Sequence, residues 1–243
     1  MSASAMARKA AGSALALAGI AGVALAAWLA LPSLSGPHET FDKYVEEASF
    51  EEGGEEQVPA IDWEALRATN PDVVGWIRVS GTGIDCPIVQ ARSSDPEKYL
   101  SHALDGSPSA AGCPYVDASS EKAGLLDFAP YVWGHSLVDG TMFSDFRHMG
   151  DPSYAADHSS ILLLTPDWQK ELRVCCVEVV DADATEKTTG IATVEEASAE
   201  LARAAASSAV VLDVPSAANR VWRFVTCSYQ TDNSRTVVYA VEA

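Results

Sequence analysis

The chain has 243 residues, of which 48% are hydrophobic, and its formal net charge at pH 7 is −18. This length and apolar content suit one sizeable folded domain with an appendage. The 34 acidic side chains outnumber the 16 basic ones, which argues against nucleic acid as a partner, because a phosphate backbone needs clusters of Lys and Arg.

The N-terminal segment predicts a membrane anchor. Residues 10–31 carry no charged side chain and are long enough to span a bilayer as a helix. A cleavable signal peptide is the alternative, although the apolar run is longer than an ordinary signal core. Arg8 and Lys9 precede the run and acidic residues follow it, so the positive-inside rule predicts a cytoplasmic N-terminus. We therefore expect a single-pass protein of the cell membrane whose folded domain is extracytoplasmic.

The chain divides into four predicted segments. These are a cytoplasmic tail (1–9), the transmembrane anchor (10–31), an acidic linker or stalk (32–60) and a folded domain (61–243). The linker is predicted from its acidic composition and its Gly53-Gly54 pair, which are typical of solvated connecting segments.

Short strands dominate the folded domain. Runs rich in β-branched and aromatic residues, bounded by turn residues, are typical of strands. They cover residues 74–79, 84–90, 112–117, 129–134, 160–164, 172–180 and 210–214. Many short strands with few helices indicate a mainly β fold, a largely antiparallel closed barrel with peripheral helices.

Three helices are predicted, over residues 61–68, 140–149 and 193–207. Asp62 and Thr193 are suited to cap the first and the last of them. In the middle helix, the apolar residues Met142, Phe143 and Phe146 are expected on the inner face.

The C-terminal region predicts a β-hairpin that carries a reactive group. Strands over 221–225 and 236–241 flank a polar turn, which brings Cys227 and Arg235 to the same end of neighbouring strands. A guanidinium beside a thiol favours the thiolate, the nucleophilic form. On the hairpin alone, a buried structural cysteine beside a surface arginine is the better interpretation, since the thiol still lacks a base.

A histidine is the usual partner of a nucleophilic cysteine. Of the five histidines, His135 follows the apolar strand that contains Trp133 and precedes a loop, a position where rigid scaffolds present functional side chains. The other four occupy less suggestive settings: His38, His102, His148 and His158.

The four remaining cysteines are interpreted as small buried apolar residues: Cys86, Cys113, Cys175 and Cys176. Adjacent Cys175 and Cys176 are expected to point to opposite faces of a strand, which disfavours a bridge between them. No pair has CxxC spacing, which disfavours a zinc site and a thiol–disulfide oxidoreductase. The acidic residues are scattered, so we predict no metal and no cofactor.

Several ordered motifs resemble class B sortases. The histidine motif of that family is similar to Trp133-Gly134-His135-Ser136 followed by Gly140-Thr141-Met142-Phe143. Its cysteine–arginine signature is similar to Thr226-Cys227-Ser228-Tyr229 with Arg235 beyond it. Further blocks at residues 76–77, 84–90, 98–100 and 112–117 resemble the early strands of the class. The resemblance covers residues 61–243, and the order of the motifs makes it specific.

The resemblance implies a β-barrel transpeptidase that joins surface proteins to the cell wall of Gram-positive bacteria. It implies that Cys227 is the nucleophile, His135 the general acid and base, and Arg235 the cation that positions substrate and stabilises the oxyanion. It further implies that Thr226 contacts substrate near the scissile bond and that Leu100 lies in the substrate groove. The implied partners are surface proteins with a C-terminal sorting signal, cleaved at a Thr–X bond, and an amine of peptidoglycan.

Two alternatives stay open from the sequence. One is a pilus-polymerising sortase, in which a pilin lysine replaces the wall amine. The other is an inactive, membrane-anchored module that binds peptides in the same groove.

Overall fold

The computed structural model describes residues 41–46, 58–181, 187–228 and 233–243. The predicted tail and the predicted membrane anchor at 10–31 lie outside these residues, as does most of the predicted linker. Within the described part of the chain, no helix is long and apolar enough to cross a bilayer.

Most of the described chain folds into one β-barrel. Its strands, with a small separate pair, are β1 (Val45–Glu46), β2 (Ala60–Ile61), β3 (Val73–Val79), β4 (Asp85–Gln90), β5 (Tyr115–Val116), β6 (Tyr131–Trp133), β7 (Ser160–Leu164), β8 (Gln169–Asp181), β9 (Val210–Val211), β10 (Trp222–Ser228) and β11 (Ser234–Glu242). Eight of them follow the order β11-β10-β6-β5-β4-β3-β7-β8, and β8 pairs back onto β11 to close the barrel. Strand β9 pairs with β8, and β1 pairs with β2 in the separate two-stranded sheet. The predicted mainly β, closed barrel is confirmed.

Two apolar clusters cover the two faces of the C-terminal strands. The larger one fills the barrel and includes Phe224 of β10 and Val238 of β11. The smaller one lies on the outer face of the same strands and includes Val225 and Tyr239. Strands buried on both faces read as nearly continuous apolar runs, which explains the composition of this hairpin.

Helices lie on the outside of the barrel. They are α1 (Trp63–Thr69), α2 (Pro152–Asp157) and α3 (Val194–Ser207). Asp62 caps α1 by accepting the Ala65 amide at 2.9 Å, and Thr193 caps α3 by accepting the Glu196 amide at 3.1 Å. The first and last predicted helices are therefore confirmed with their caps.

The predicted helix over 140–149 is wrong in type and position. A 3₁₀ helix, Ser144–Gly150, stands there instead. Gly140 and Met142 both adopt left-handed backbone angles, with φ of 85° and 57°, and this turn delays the helix start. Met142, Phe143 and Phe146 are nevertheless buried, as predicted.

The folded domain begins earlier than the predicted boundary at residue 61. A 3₁₀ helix, Phe41–Tyr44, lies within the stretch assigned to the acidic linker 32–60. Phe41 packs edge-on against Trp76 with ring centroids 6.2 Å apart, and Tyr44 is buried beside it. These two aromatic side chains anchor an otherwise acidic segment to the core.

Strand β8 carries a bulge at its cysteine pair. Its register against β11 shifts so that Tyr239 pairs with Cys176 and Ala240 pairs with Val174, which leaves Cys175 as the extra residue. Both cysteines join the outer apolar cluster, contrary to the opposite faces expected of a regular strand. All five cysteines are free thiols, and the four other than Cys227 are buried, as predicted.

Buried ionic groups attach α3 to the outer face of the sheet. Glu200 of α3 lies 3.4 Å from Arg223 of β10, and both side chains are almost fully buried. Arg223 also stacks on Tyr131, with its guanidinium carbon 3.5 Å from the ring centroid. Nearby, Arg203 of α3 bonds to Glu178 of β8 at 3.2 Å. The helix is therefore fixed by specific pairs as well as by apolar contact.

Candidate active site

Three neighbouring strands place the predicted catalytic residues in one row. Strands β6 and β10 run parallel, with Trp133 opposite Val225, while β10 and β11 run antiparallel, with Cys227 opposite Arg235. Side chains two positions apart point to the same face of a strand. His135 lies two residues after Trp133, and Cys227 lies two residues after Val225, so the two side chains are level with each other. Together with Arg235 they form one row, the catalytic row.

Cys227 is a partly exposed thiol near the end of β10. The pKa of this thiol lies below its ordinary value. A hydrogen bond with His135 is the main cause, and the positive charge of Arg235 acts in the same direction against the effect of burial. The site therefore stabilises the nucleophilic thiolate.

His135 forms hydrogen bonds with the Leu100 carbonyl and with Cys227, and the first of these defines the roles of its ring nitrogens. Nε2 lies 2.8 Å from the carbonyl oxygen of Leu100. Because a carbonyl can only accept, Nε2 donates its hydrogen there, and Nδ1 is left to gain and lose the titrating proton.

The pKa of His135 lies above its ordinary value. The hydrogen bond with Cys227 is the main cause, the Leu100 carbonyl adds to it, and burial and the charge of Arg235 oppose it. The opposite shifts of the two pKa values favour the thiolate and the imidazolium relative to an isolated thiol and an isolated imidazole.

Arg235 is held by the turn between β10 and β11. Its Nη1 lies 3.2 Å from the Ser234 carbonyl oxygen and 3.5 Å from Oδ1 of Asn233, which has a left-handed φ of 62°. The guanidinium is half-buried in the row with Cys227, where it can meet negative charge that develops on a bound substrate.

The two predicted substrate-binding residues occupy different settings. Leu100 is 38% exposed, and its carbonyl is the acceptor for His135, a contact that its residue type does not predict. Thr226 is only 1% exposed, and it faces the barrel interior opposite Thr236. A substrate beside Cys227 can therefore reach the backbone of Thr226 but not its hydroxyl.

Sequence reasoning missed the role of Gly112. Its φ is 61°, and a Cβ at this position would lie 2.4 Å from the Tyr99 carbonyl oxygen and 3.0 Å from Cδ2 of His135. Only glycine fits between this backbone and the imidazole. This glycine opens the motif at residues 112–117, but the close approach has no sequence signature beyond the glycine itself.

The remaining described histidines lie apart from this row. His102 bonds to the Lys98 carbonyl, His148 to Arg147, and His158 stacks on Tyr154. His38 lies outside the described residues. Across the ranges that the structure describes, no group of three or more His, Cys, Asp or Glu side chains is placed to hold a metal ion.

Comparison with known proteins gives two curated relatives. Sortase B of Listeria monocytogenes is 33% identical over 93 residues, which are 38% of this chain and 37% of that protein. Sortase B of Staphylococcus aureus is 28% identical over 99 residues, 41% of this chain and 39% of that protein. The chain thus spans less than half the length of the curated relatives it matches. No protein-family model matches it.

The likeness to solved structures covers most of the chain. The X-ray structure of Clostridium perfringens sortase B superposes with a TM-score of 0.65 at 27% identity, covering 74% of this chain and 98% of that one. The likeness therefore extends well beyond the segments matched by sequence alone. The ordered motifs, the two curated relatives and the structural likeness agree, and together they support a class B sortase.

Proposed function

We propose that this protein is a membrane-anchored cysteine transpeptidase. It cleaves a C-terminal sorting signal at a Thr–X bond and transfers the protein to an amine of the cell wall. The observation that carries the proposal is the hydrogen-bonded pair of Cys227 and His135 with Arg235 opposite the thiol. A nucleophile, a proton carrier and a fixed cation in one row are the parts that acyl transfer requires.

The first step forms a thioester. The Cys227 thiolate attacks the carbonyl carbon of the scissile bond, and the negative charge that develops on the carbonyl oxygen is met by Arg235. The imidazolium of His135 then gives its Nδ1 proton to the departing amine as the C–N bond breaks. The sulfur now carries the acyl group, and His135 is neutral.

The second step releases the acyl group. An amine enters the space left by the first product, and neutral His135 accepts a proton from it as the new amide bond forms. The C–S bond breaks, and the thiolate–imidazolium pair is restored. The thioester conserves the acyl energy throughout, so the reaction as written requires neither a metal nor a nucleotide.

The proposal includes location and partners. Residues 10–31 anchor the protein in the cell membrane with the catalytic domain extracytoplasmic, as their uncharged length and the flanking charges suggest. The donors are surface proteins that bear a sorting signal, and the acceptor is a peptidoglycan amine. A pilin lysine as acceptor is the alternative.

Mass spectrometry of the protein incubated with a library of sorting-signal peptides and an amine tests the function. We expect an acyl adduct on Cys227 that the added amine releases. The other four thiols are buried, so an adduct is assigned to Cys227 directly. In Cys227→Ala, turnover should fall by about 10⁴-fold or more, because the nucleophile is removed.

Three outcomes separate the hypotheses. Release of the adduct by a peptidoglycan amine supports wall anchoring, and release by a pilin lysine alone supports the alternative acceptor. A protein that binds peptides but never forms an adduct is an inactive binding module, and that result would overturn the proposal.

A further inference from the structure

The imidazole of His135 is oriented by a backbone carbonyl. Within the described residues, its ring hydrogen bonds go to the Leu100 carbonyl and to Cys227, and none goes to a carboxylate or an amide side chain. Side-chain orienters such as Asp or Asn are replaced here by a main-chain group. The position of His135 therefore depends on what fixes residue 100.

Residue 100 ends a short 3₁₀ helix, Lys98–Leu100, whose central residue is deeply anchored. Tyr99 is 1% exposed, and its hydroxyl donates to Oδ2 of Asp72 at 2.8 Å. Asn70 donates to the same hydroxyl at 3.0 Å from its Nδ2. Asp72 is in turn held by Arg92, whose Nε lies 3.0 Å from Oδ1.

The backbone of this 3₁₀ helix is clamped from a second direction. The Cys113 amide donates to the Tyr99 carbonyl at 3.0 Å. Gly112 fills the remaining space, since a Cβ there would lie within 3.2 Å of the Leu100 carbonyl oxygen as well as against His135. The Leu100 carbonyl thus belongs to a short segment that the buried Tyr99 anchors, and it accepts the hydrogen bond from the imidazole.

We propose that Tyr99, through its hydrogen bond to Asp72, is a positioning residue that sets the Leu100 carbonyl and thereby the orientation of His135. This inference rests on the proposed function of the Cys227–His135 pair. Tyr99 touches neither the substrate nor the reacting atoms, and it acts through one main-chain hydrogen bond.

Replacing Tyr99 by Phe removes the hydroxyl and leaves Oδ2 of Asp72 without its donor. The 3₁₀ helix then loses the bond that fixes its central side chain, and the Leu100 carbonyl moves away from Nε2. Since that carbonyl helps to raise the pKa of His135, its displacement lowers this pKa, and the weakened imidazolium lets the pKa of Cys227 rise.

Other charged and titratable groups face these two residues and must be followed in any pH experiment. Around Tyr99 they are Asp72, Arg92, Lys98 and Cys113; around His135 they are Cys227 and Arg235. Nζ of Lys98 lies 4.0 Å from Oδ2 of Asp72, and Nδ1 of His102 donates to the Lys98 carbonyl oxygen at 2.8 Å. Of these groups, only Cys227 and Arg235 act directly on the imidazole.

The test compares Tyr99→Phe with Tyr115→Phe. Tyr115 is a matched control because it is also buried, packs against Tyr99 with centroids 6.5 Å apart, and makes no hydrogen bond to Asp72. Two readouts are measured across pH: alkylation of Cys227 by iodoacetamide, which needs no substrate, and kcat/KM for a cleaved peptide.

For Tyr99→Phe we expect the pH dependence of Cys227 alkylation to move to higher pH. The bell-shaped pH profile of kcat/KM should become narrower on both sides, because the pKa of Cys227 rises and the pKa of His135 falls. At the optimum, kcat should fall roughly 10- to 100-fold with little change in KM, because misplacement of a catalytic group acts on the chemical step. Tyr115→Phe should resemble the wild type in both readouts.

Superimposable pH curves for a folded Tyr99→Phe and the wild type would overturn the inference. If Tyr99→Phe does not fold, Asp72→Ala replaces it, since the tyrosine then keeps its hydroxyl and loses its acceptor. An unshifted alkylation curve in a folded Asp72→Ala has the same meaning. A wild type that alkylates normally but never cleaves peptide defeats the proposed function instead, and a shifted alkylation curve in Tyr99→Phe still supports the positioning role.

Discussion

The charge of Arg235 is held beside the reactive thiol by two features of its own strand. Pairing of β10 with β11 places it opposite Cys227, and the turn carbonyl of Ser234 accepts from its Nη1. One nitrogen of the guanidinium therefore donates to the turn, while the group as a whole stays in the catalytic row. A planar guanidinium presents donors to both partners in a fixed geometry, whereas an ammonium is a compact charge on a flexible stem.

Arg235→Lys separates charge from geometry. We expect kcat for peptide cleavage to fall about 10²- to 10³-fold, the usual effect of losing one oxyanion donor. Alkylation of Cys227 should change far less, because the lysine retains a positive charge near the thiol. Steady-state kinetics and iodoacetamide labelling of the same sample measure the two effects.

A conservative control is available on the far side of the barrel. Arg78 of β3 pairs with Asp85 at 2.6 Å, and Arg78→Lys should leave both readouts near the wild-type values. Equal losses of cleavage and of alkylation in Arg235→Lys would contradict an oxyanion role and would indicate a purely electrostatic effect on the thiol.

At this scale the sequence predicts side chains better than backbone contacts. Cys227, His135 and Arg235 are predicted because each supplies a distinct chemical group in a recognisable order, and the structure brings the three together. The contribution of Leu100 is its carbonyl, which every residue possesses. Tyr99 acts from inside the barrel, where an aromatic residue looks like any other core residue.

Helix α3 is attached to the sheet by an ion pair that water does not reach. Glu200 and Arg223 are each less than a tenth exposed, and Nε of Arg223 has no hydrogen-bond partner among the described residues. Breaking one side of such a pair leaves a buried charge uncompensated.

Glu200→Gln should therefore destabilise the domain by about 3 kcal/mol, measured as the free energy of unfolding in urea. The matched control is Glu195→Gln in the exposed first turn of the same helix, which should change stability by less than about 0.5 kcal/mol. Similar stability of the two variants would show that apolar packing alone holds α3.

Elements with a strong local pattern were predicted well. Strand β7 matches its predicted residues, and α3 begins and ends within one residue of its prediction, because periodicity and caps are local properties. The middle helix was mispredicted because left-handed backbone angles at Gly140 and Met142 replace its first turn. Methionine gives no indication of such an angle, which tertiary packing imposes.

The acidic surplus acts on the whole molecule. With a net charge of −18, the protein attracts cationic peptides over a distance set by ionic strength. At low salt, kcat/KM for a peptide with flanking lysines should exceed that for the same peptide with flanking glutamates by about tenfold. In roughly 0.5 M salt, where charges are screened, the ratio of the two kcat/KM values should fall towards one.

The salt series is itself the control for this prediction. A ratio that stays constant as salt increases would contradict long-range attraction and would indicate a local contact with the peptide flank. Stopped-flow or initial-rate measurements at fixed pH are sufficient to distinguish the two.

Fold class was predictable because many short apolar runs leave few alternatives to a barrel. The strand order was not, because the pairing of β8 with β11 and the parallel pairing of β6 with β10 join segments that are distant in sequence. The hydrophobic pattern of the sequence shows that a strand exists, whereas the packing of the complete molecule determines which strands pair with it.

The parallel contact between β6 and β10 also links chemistry to folding kinetics. Cys227 and His135 belong to strands with a long connection between them, and contacts of high sequence separation form slowly. Until those strands pair, Cys227 has no imidazole partner, so it behaves as an ordinary thiol. The increase of the alkylation rate during refolding therefore reports barrel assembly, and a chain that is still unfolded carries no activated nucleophile.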